Sequence, residues 1–223
     1  MASSRGSIVL TGFGPFPGVD SNATSELIVE LTEAARTRFS KHEVIGEVLP
    51  VEWQQAPKVL KGLLTGARAV LALHFGVAPE ARGFQIELVG RNLRGARPDA
   101  CGELPSCEAV IATGPTMLAS TLPAERILTR LARGGFPCCT SNNAGNYLCN
   151  ALMYHSLAAA RVQQRPFMSG FVHVPASLQR TSCAPGGAPD LDDSCSLTWA
   201  AAVAGGLEII AACLENVPPV VTA

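Results

Sequence analysis

Apolar residues recur along this chain in two rhythms: short runs of strand type and longer stretches at helical spacing. Positions 7–11 read as a first strand that ends in the loop Gly12-Phe13-Gly14-Pro15-Phe16-Pro17-Gly18. Helical spacing follows over 24–39, with Leu27, Leu31 and Ala34/Ala35 on one face. Next come a strand at 44–49, a helix at 57–64 and the unbroken apolar run 69–75, the mark of a central strand covered on both faces. Further strands are predicted at 84–89, 136–140 and 167–174. Helices are predicted at 123–133, opened by Pro and closed by Gly134-Gly135, and again from about 148, where Leu148, Leu152 and Leu157 align. An Ala-rich helix at 194–214 is interrupted by Gly205-Gly206. Residues 93–109 and 177–193 carry Pro, Gly, Cys and Asp without periodicity and read as irregular. Strands alternating with helices predict one α/β domain over 1–223, with 1–6 as a tail. Its architecture is a three-layer αβα sandwich around a mostly parallel twisted sheet. In such sheets ligands collect beyond the carboxyl ends of the strands.

Composition narrows the partners more than the fold. With 223 residues, 48% hydrophobic and 16% charged, the chain can build a full core and is no disordered tract. A net charge of −1, with no concentration of Lys or Arg, argues against nucleic acid and anionic membranes as partners. No apolar run reaches the ~20 residues of a membrane span. The Ser-rich start runs straight into Ile8-Val9-Leu10, so no cleavable leader is expected and a cytoplasmic location is. The 8 cysteines are too few for a disulfide scaffold and lack zinc spacing. Cys138 and Cys139 are expected as small core residues. Cys101, Cys107, Cys183 and Cys195 are expected as free thiols near loops, with a Cys183–Cys195 bridge left open.

The richest chemistry lies in Ser141-Asn142-Asn143-Ala144-Gly145-Asn146-Tyr147-Leu148-Cys149-Asn150. A Ser/Asn/Gly turn after a strand feeds a helix that carries Cys149 in its first turns. There, unpaired amide hydrogens and the helix dipole favour negative charge. The thiolate is the nucleophilic form of cysteine. Such a nucleophile needs a base, and the base an orienting group. Of the 4 histidines, His42 lies in a charged surface turn and His155 on the helix behind Cys149. His74, near the end of the apolar run, and His173, in Gly170-Phe171-Val172-His173-Val174-Pro175, are the candidates. Either could equally be a satisfied core residue. Glu87 is a carboxylate within an apolar strand, where charge is costly unless paired; a solvated strand face is the alternative.

Taken together, five stretches resemble the pyroglutamyl peptidase I (pyrrolidone-carboxylate peptidase) family, in the same order. They are Leu10-Thr11-Gly12-Phe13-Gly14-Pro15-Phe16, then Leu49-Pro50-Val51-Glu52-Trp53, then His74-Phe75-Gly76-Val77 leading to Glu87, the Cys149 segment, and Phe171-Val172-His173-Val174-Pro175. Gly76-Val77-Ala78-Pro79-Glu80-Ala81-Arg82 has the form of the family's eukaryotic branch, and Ser25 stands where the family has a tryptophan. The resemblance implies a cysteine peptidase, an exopeptidase that removes N-terminal pyroglutamate from peptides through a thioacyl-enzyme, with no metal or other cofactor. It implies Cys149, His173 and Glu87 as the catalytic set, Phe13 and Phe16 as walls of an apolar lactam pocket, and Asn22 among the substrate-binding residues. The backbone amides of Tyr147, Leu148 and Cys149 are the expected oxyanion donors. Two other readings stay open: a different cysteine-dependent amidase acting on a small acyl group, and a non-catalytic relative that binds pyroglutamyl peptides. Homo-oligomerisation is likewise left open.

Overall fold

The computed structural model describes residues 5–16, 18, 21–163, 166–180 and 197–215. Cys183, Cys195, most of the loop 177–193 and the first four residues of the expected tail lie outside them. Gly6 is already buried and accepts a hydrogen bond from Glu43 N–H at 3.2 Å.

In chain order the elements are β1 (Ser7–Phe13), α1 (Ala23–Arg38), β2 (Glu43–Leu49), α2 (Gln55–Gly66), β3 (Ala69–Ala78), β4 (Phe84–Glu87) and β5 (Val89–Arg91). There follow β6 (Met117–Ala119), α3 (Ala124–Arg133), β7 (Cys138–Ser141), α4 (Leu148–Val162), β8 (Met168–Pro175) and α5 (Trp199–Leu214). Six strands form one sheet in the order β2-β1-β3-β8-β4-β7. The first four are mutually parallel; β4 runs antiparallel to β8 and parallel to β7.

Period-two alternation sorts the strand residues onto two faces. Ile8, Leu10, Leu71, Leu73, Phe75, Ile86, Val172 and Val174 pack with α1, α3 and α5. Val9, Phe13, Ala72 and Phe171 pack with α2 and α4. The result is the expected three-layer sandwich.

Three local expectations are corrected. The stretch 84–89 is two strands, because Leu88 hands the chain from one sheet to another. Its N–H bonds Ser141 O and its carbonyl accepts from Ser120 N–H, both at 2.8 Å, after which β5 pairs antiparallel with β6 in a separate ribbon. Gly205-Gly206 does not interrupt α5. A Cβ on Gly205 would lie 2.3 Å from Phe84 Cε2, and one on Gly206 2.9 Å from Leu31 Cδ2. The glycines therefore let α5 approach the sheet and α1 without breaking the helix. Cys138 packs half-buried against the core, but Cys139 is not a core residue: β7 is an edge strand, which leaves it exposed. Among the described residues, no helix is long and apolar enough to cross a membrane.

Candidate active site

Register collects residues distant in sequence into two neighbouring rows across the sheet. Thr11, His74, Phe171, Glu87 and Ser141 form one row. Gly76, His173 and Gln85 form the next, two residues further along β8. Cys149 comes down on this second row from the start of α4. Its Sγ lies so close to β3 that a Cβ on Gly76 would be 3.0 Å from it.

His173 joins the sulfur to the carboxylate. Its Nδ1–H donates to Glu87 Oε1 at 2.8 Å. Cys149 lies close enough to the same ring to raise its pKa, and with Nδ1 engaged by Glu87, Nε2 is the nitrogen left for the sulfur. Both His173 and Glu87 are buried. Burial alone would push the His173 pKa down, but hydrogen bonding and charge from Cys149 and Glu87 outweigh it and hold it at about 9. Burial would likewise push Glu87 up. The hydrogen bonds from His173 and Gln85, the imidazolium charge and the Ser141 hydroxyl more than offset this, leaving it below the ordinary carboxylate value.

Cys149 is the second residue of α4, after the N-cap Tyr147, which makes no side-chain cap. The first bond inside the helix runs from Ala151 N–H to Tyr147 O at 3.1 Å, so the Leu148, Cys149 and Asn150 amides precede it. Asn150 anchors this helix start. It accepts from Arg91 N–H at 2.8 Å and donates to Arg91 O and Leu93 O at 2.9 and 2.8 Å.

His74, the rival candidate base, is a core histidine. Its ring nitrogens sit 2.8 Å from Thr11 Oγ1 and 2.8 Å from Ser156 Oγ. Burial pushes its pKa down to about 3, so it is neutral. Phe13 is buried against Phe171, with ring centroids 6.5 Å apart, and Phe171 in turn lies 4.8 Å from the His173 ring. Phe16 is half-buried, 6.0 Å from Tyr147. Asn22 is buried at the start of α1. Its Oδ1 caps α1 by accepting from Thr24 N–H at 3.1 Å, and its Nδ2 donates one hydrogen to Gly14 O at 3.1 Å, so it helps hold the first loop in place.

Several contributors went unread in the sequence. Gln85 donates to Glu87 Oε1 at 2.9 Å, a role visible only once strand pairing places it opposite His173. The irregular segment after β5 folds back over the start of α4. Trp53 stacks edge-on against Tyr147 at 5.2 Å and donates from Nε1 to Arg97 O at 3.0 Å. The Arg97 guanidinium lies 4.7 Å from the Tyr147 ring centroid. Gly76 is required by close approach, because a Cβ there would also stand 2.8 Å from Phe171 Cζ. Gly76→Ala is therefore expected to displace the sulfur from His173 and lower kcat/KM by about 10²-fold. Steady-state kinetics on a folded variant would check this, and unchanged kinetics would show that the sulfur has room to spare.

A thiol, an imidazole and a carboxylate linked in that order form the constellation of nucleophilic cysteine hydrolases. The family model for pyroglutamyl peptidase matches residues 6–212. Among related proteins, the pyrrolidone-carboxylate peptidase of Pyrococcus furiosus is 37% identical over 169 residues, covering 75% of this chain and 80% of that protein. The enzyme of the same name from Oceanobacillus iheyensis is 34% identical over 170 residues, 76% of this chain and 84% of its own. Among solved structures, a variant of the P. furiosus pyrrolidone carboxyl peptidase matches with a TM-score of 0.82 at 31% identity, over 95% of this chain and 100% of that one. This chain belongs to the pyroglutamyl peptidase family.

Proposed function

We propose that the protein is a cysteine exopeptidase that hydrolyses the amide bond after an N-terminal pyroglutamyl residue. The observation carrying this reading is the buried His173–Glu87 hydrogen bond with Cys149 set beside it at a helix start, in a chain of this family. Cys149 Sγ attacks the pyroglutamyl carbonyl carbon, and the charge on its oxygen is taken up by backbone amides among residues 147–149. Collapse breaks the C–N bond while His173 passes its proton to the departing amine, leaving a thioacyl-enzyme. His173 then deprotonates a water, whose attack releases pyroglutamate and restores the thiol. Glu87 holds the imidazole tautomer and stabilises its charged form.

Phe13 and Phe16, both near the Cys149 end of the sheet through Phe171 and Tyr147, would give a neutral lactam apolar walls. A prolyl or alanyl N-terminus would bring an ammonium charge there without a partner. The peptides are thus the partners, and a net charge of −1 gives nucleic acid no footing. A reducing, cytoplasmic setting accords with the exposed free thiols Cys101 and Cys107.

The test compares pyroglutamyl-, prolyl- and alanyl-aminomethylcoumarin. Pyroglutamyl turnover is expected to exceed the others by about 10⁴-fold, as for sites built around a substrate hydrogen bond. Turnover of either competitor with none of the first would favour another amidase. Calorimetric binding of a pyroglutamyl dipeptide without product would favour a binding protein.

A further inference from the structure

A second concave site lies on the same side of the sheet, between α2 and α4 and apart from the Cys149–His173–Glu87 cluster. It is a groove of about 520 Å³, within the range of small-molecule sites. Leu64, Ile111, Ala159 and Val162 line its apolar length, and Val162 is 83% exposed, unusual for an aliphatic residue on a helix that is otherwise well covered. Its polar lining is one-signed or neutral: Lys58 and Lys61 stand one turn apart on α2, His155 faces them from α4, and no acidic residue lines it.

His155 makes the groove more than a greasy dent. Its Nε2 is shielded from solvent and has no hydrogen-bond partner in the protein, a cost that a ligand would remove. Burial first, then the neighbouring Arg94 charge, pushes its pKa down to about 4. Arg94 is tethered through Nη2 to Val110 O at 2.9 Å, one residue from the groove wall, and its Nε is also buried without a partner. An apolar helix from a second copy would cover the aliphatic wall but leave His155 Nε2 without a partner.

We propose that this groove binds a small amphipathic monocarboxylate, an aryl- or alkyl-substituted alkanoate. Its carboxylate lies among Lys58, Lys61 and His155, and its apolar body runs along Leu64, Ile111, Ala159 and Val162. Two lysines one turn apart can converge on one carboxylate, and the aliphatic wall rewards a hydrocarbon body rather than a compact inorganic anion.

The experiment titrates the full chain by calorimetry with 4-phenylbutyrate and with 4-phenylbutanol, which has a similar body and no charge. The acid is expected to bind with a Kd of about 1 mM or tighter, and the alcohol about tenfold more weakly. Lys58→Gln with Lys61→Gln should bring the acid to the alcohol's level, His155→Phe should weaken the acid selectively, and Ala159→Trp should abolish both. Circular-dichroism melting reports whether each variant is folded, and the lysine and His155 variants carry the test if Ala159→Trp is not. Equal binding of acid and alcohol, no binding of the acid, or binding unchanged in the folded variants would overturn the proposal. So would a concentration-dependent dimer in sedimentation that Ala159→Trp dissolves, since the face would then serve self-association.

Discussion

Cys149→Ala abolishes hydrolysis of pyroglutamyl-aminomethylcoumarin, with kcat expected to fall by about 10⁴-fold or more while the protein still melts cooperatively. The sulfur is the one group here that can form the covalent intermediate. It sits at the second position of α4, against Gly76 and near enough to His173 to raise its pKa. The substitution removes one atom from a half-buried position, so loss of activity is expected without loss of fold. His173→Ala should cost a similar factor, because a thiol without its base is a poor nucleophile at neutral pH. The double variant should be scarcely worse than either single one, since the two groups act as a unit. Steady-state kinetics with thermal melts would check all three. Activity within tenfold of native in Cys149→Ala would mean that another group attacks.

Glu87→Gln is expected to lower kcat by about 10³- to 10⁴-fold with little change in KM, the pattern of an orienting carboxylate made neutral. Its signature lies in the pH profile. In the native protein the His173 pKa is held at about 9 by Cys149 and Glu87 against the downward pull of burial. The kcat/KM is therefore expected to fall as pH rises through that value, when the imidazolium loses the proton owed to the departing amine. Glutamine still occupies the space but removes the charge and can present its amide N–H where an acceptor is needed. Burial is then opposed by Cys149 alone, the His173 pKa drops, and the alkaline limb moves to lower pH. A merely structural role for Glu87 would lower activity without moving that limb, and full activity would show that another residue orients His173.

Much of the scaffold was legible because its signals are local. The apolar run at β3, the Pro and Gly boundaries of α3 and the turn into α4 each record their own conformation within a few residues. The chemistry at Cys149 was legible for the same reason, since a helix start is a local feature that favours an anion. Where the reading failed, the cause was an unseen neighbour. Cys139 looks like a core residue until β7 proves to be an edge strand. The glycine pair in α5 reads as a break until Phe84 and Leu31 are found pressing there.

By itself, then, the amino-acid order determined the sandwich, the helix that carries the thiol, and a short field of candidate partners. It could not choose between His74 and His173 by residue chemistry alone, since both lie in apolar parallel strands of the same sheet. Only the tertiary structure separated them, setting one beneath Thr11 and Ser156 as a neutral core residue and the other between Glu87 and Cys149. The reason is physical: side-chain direction along a strand is a local property. Which side chains meet across the sheet depends on strand order and register, set by pairing between segments far apart in the chain.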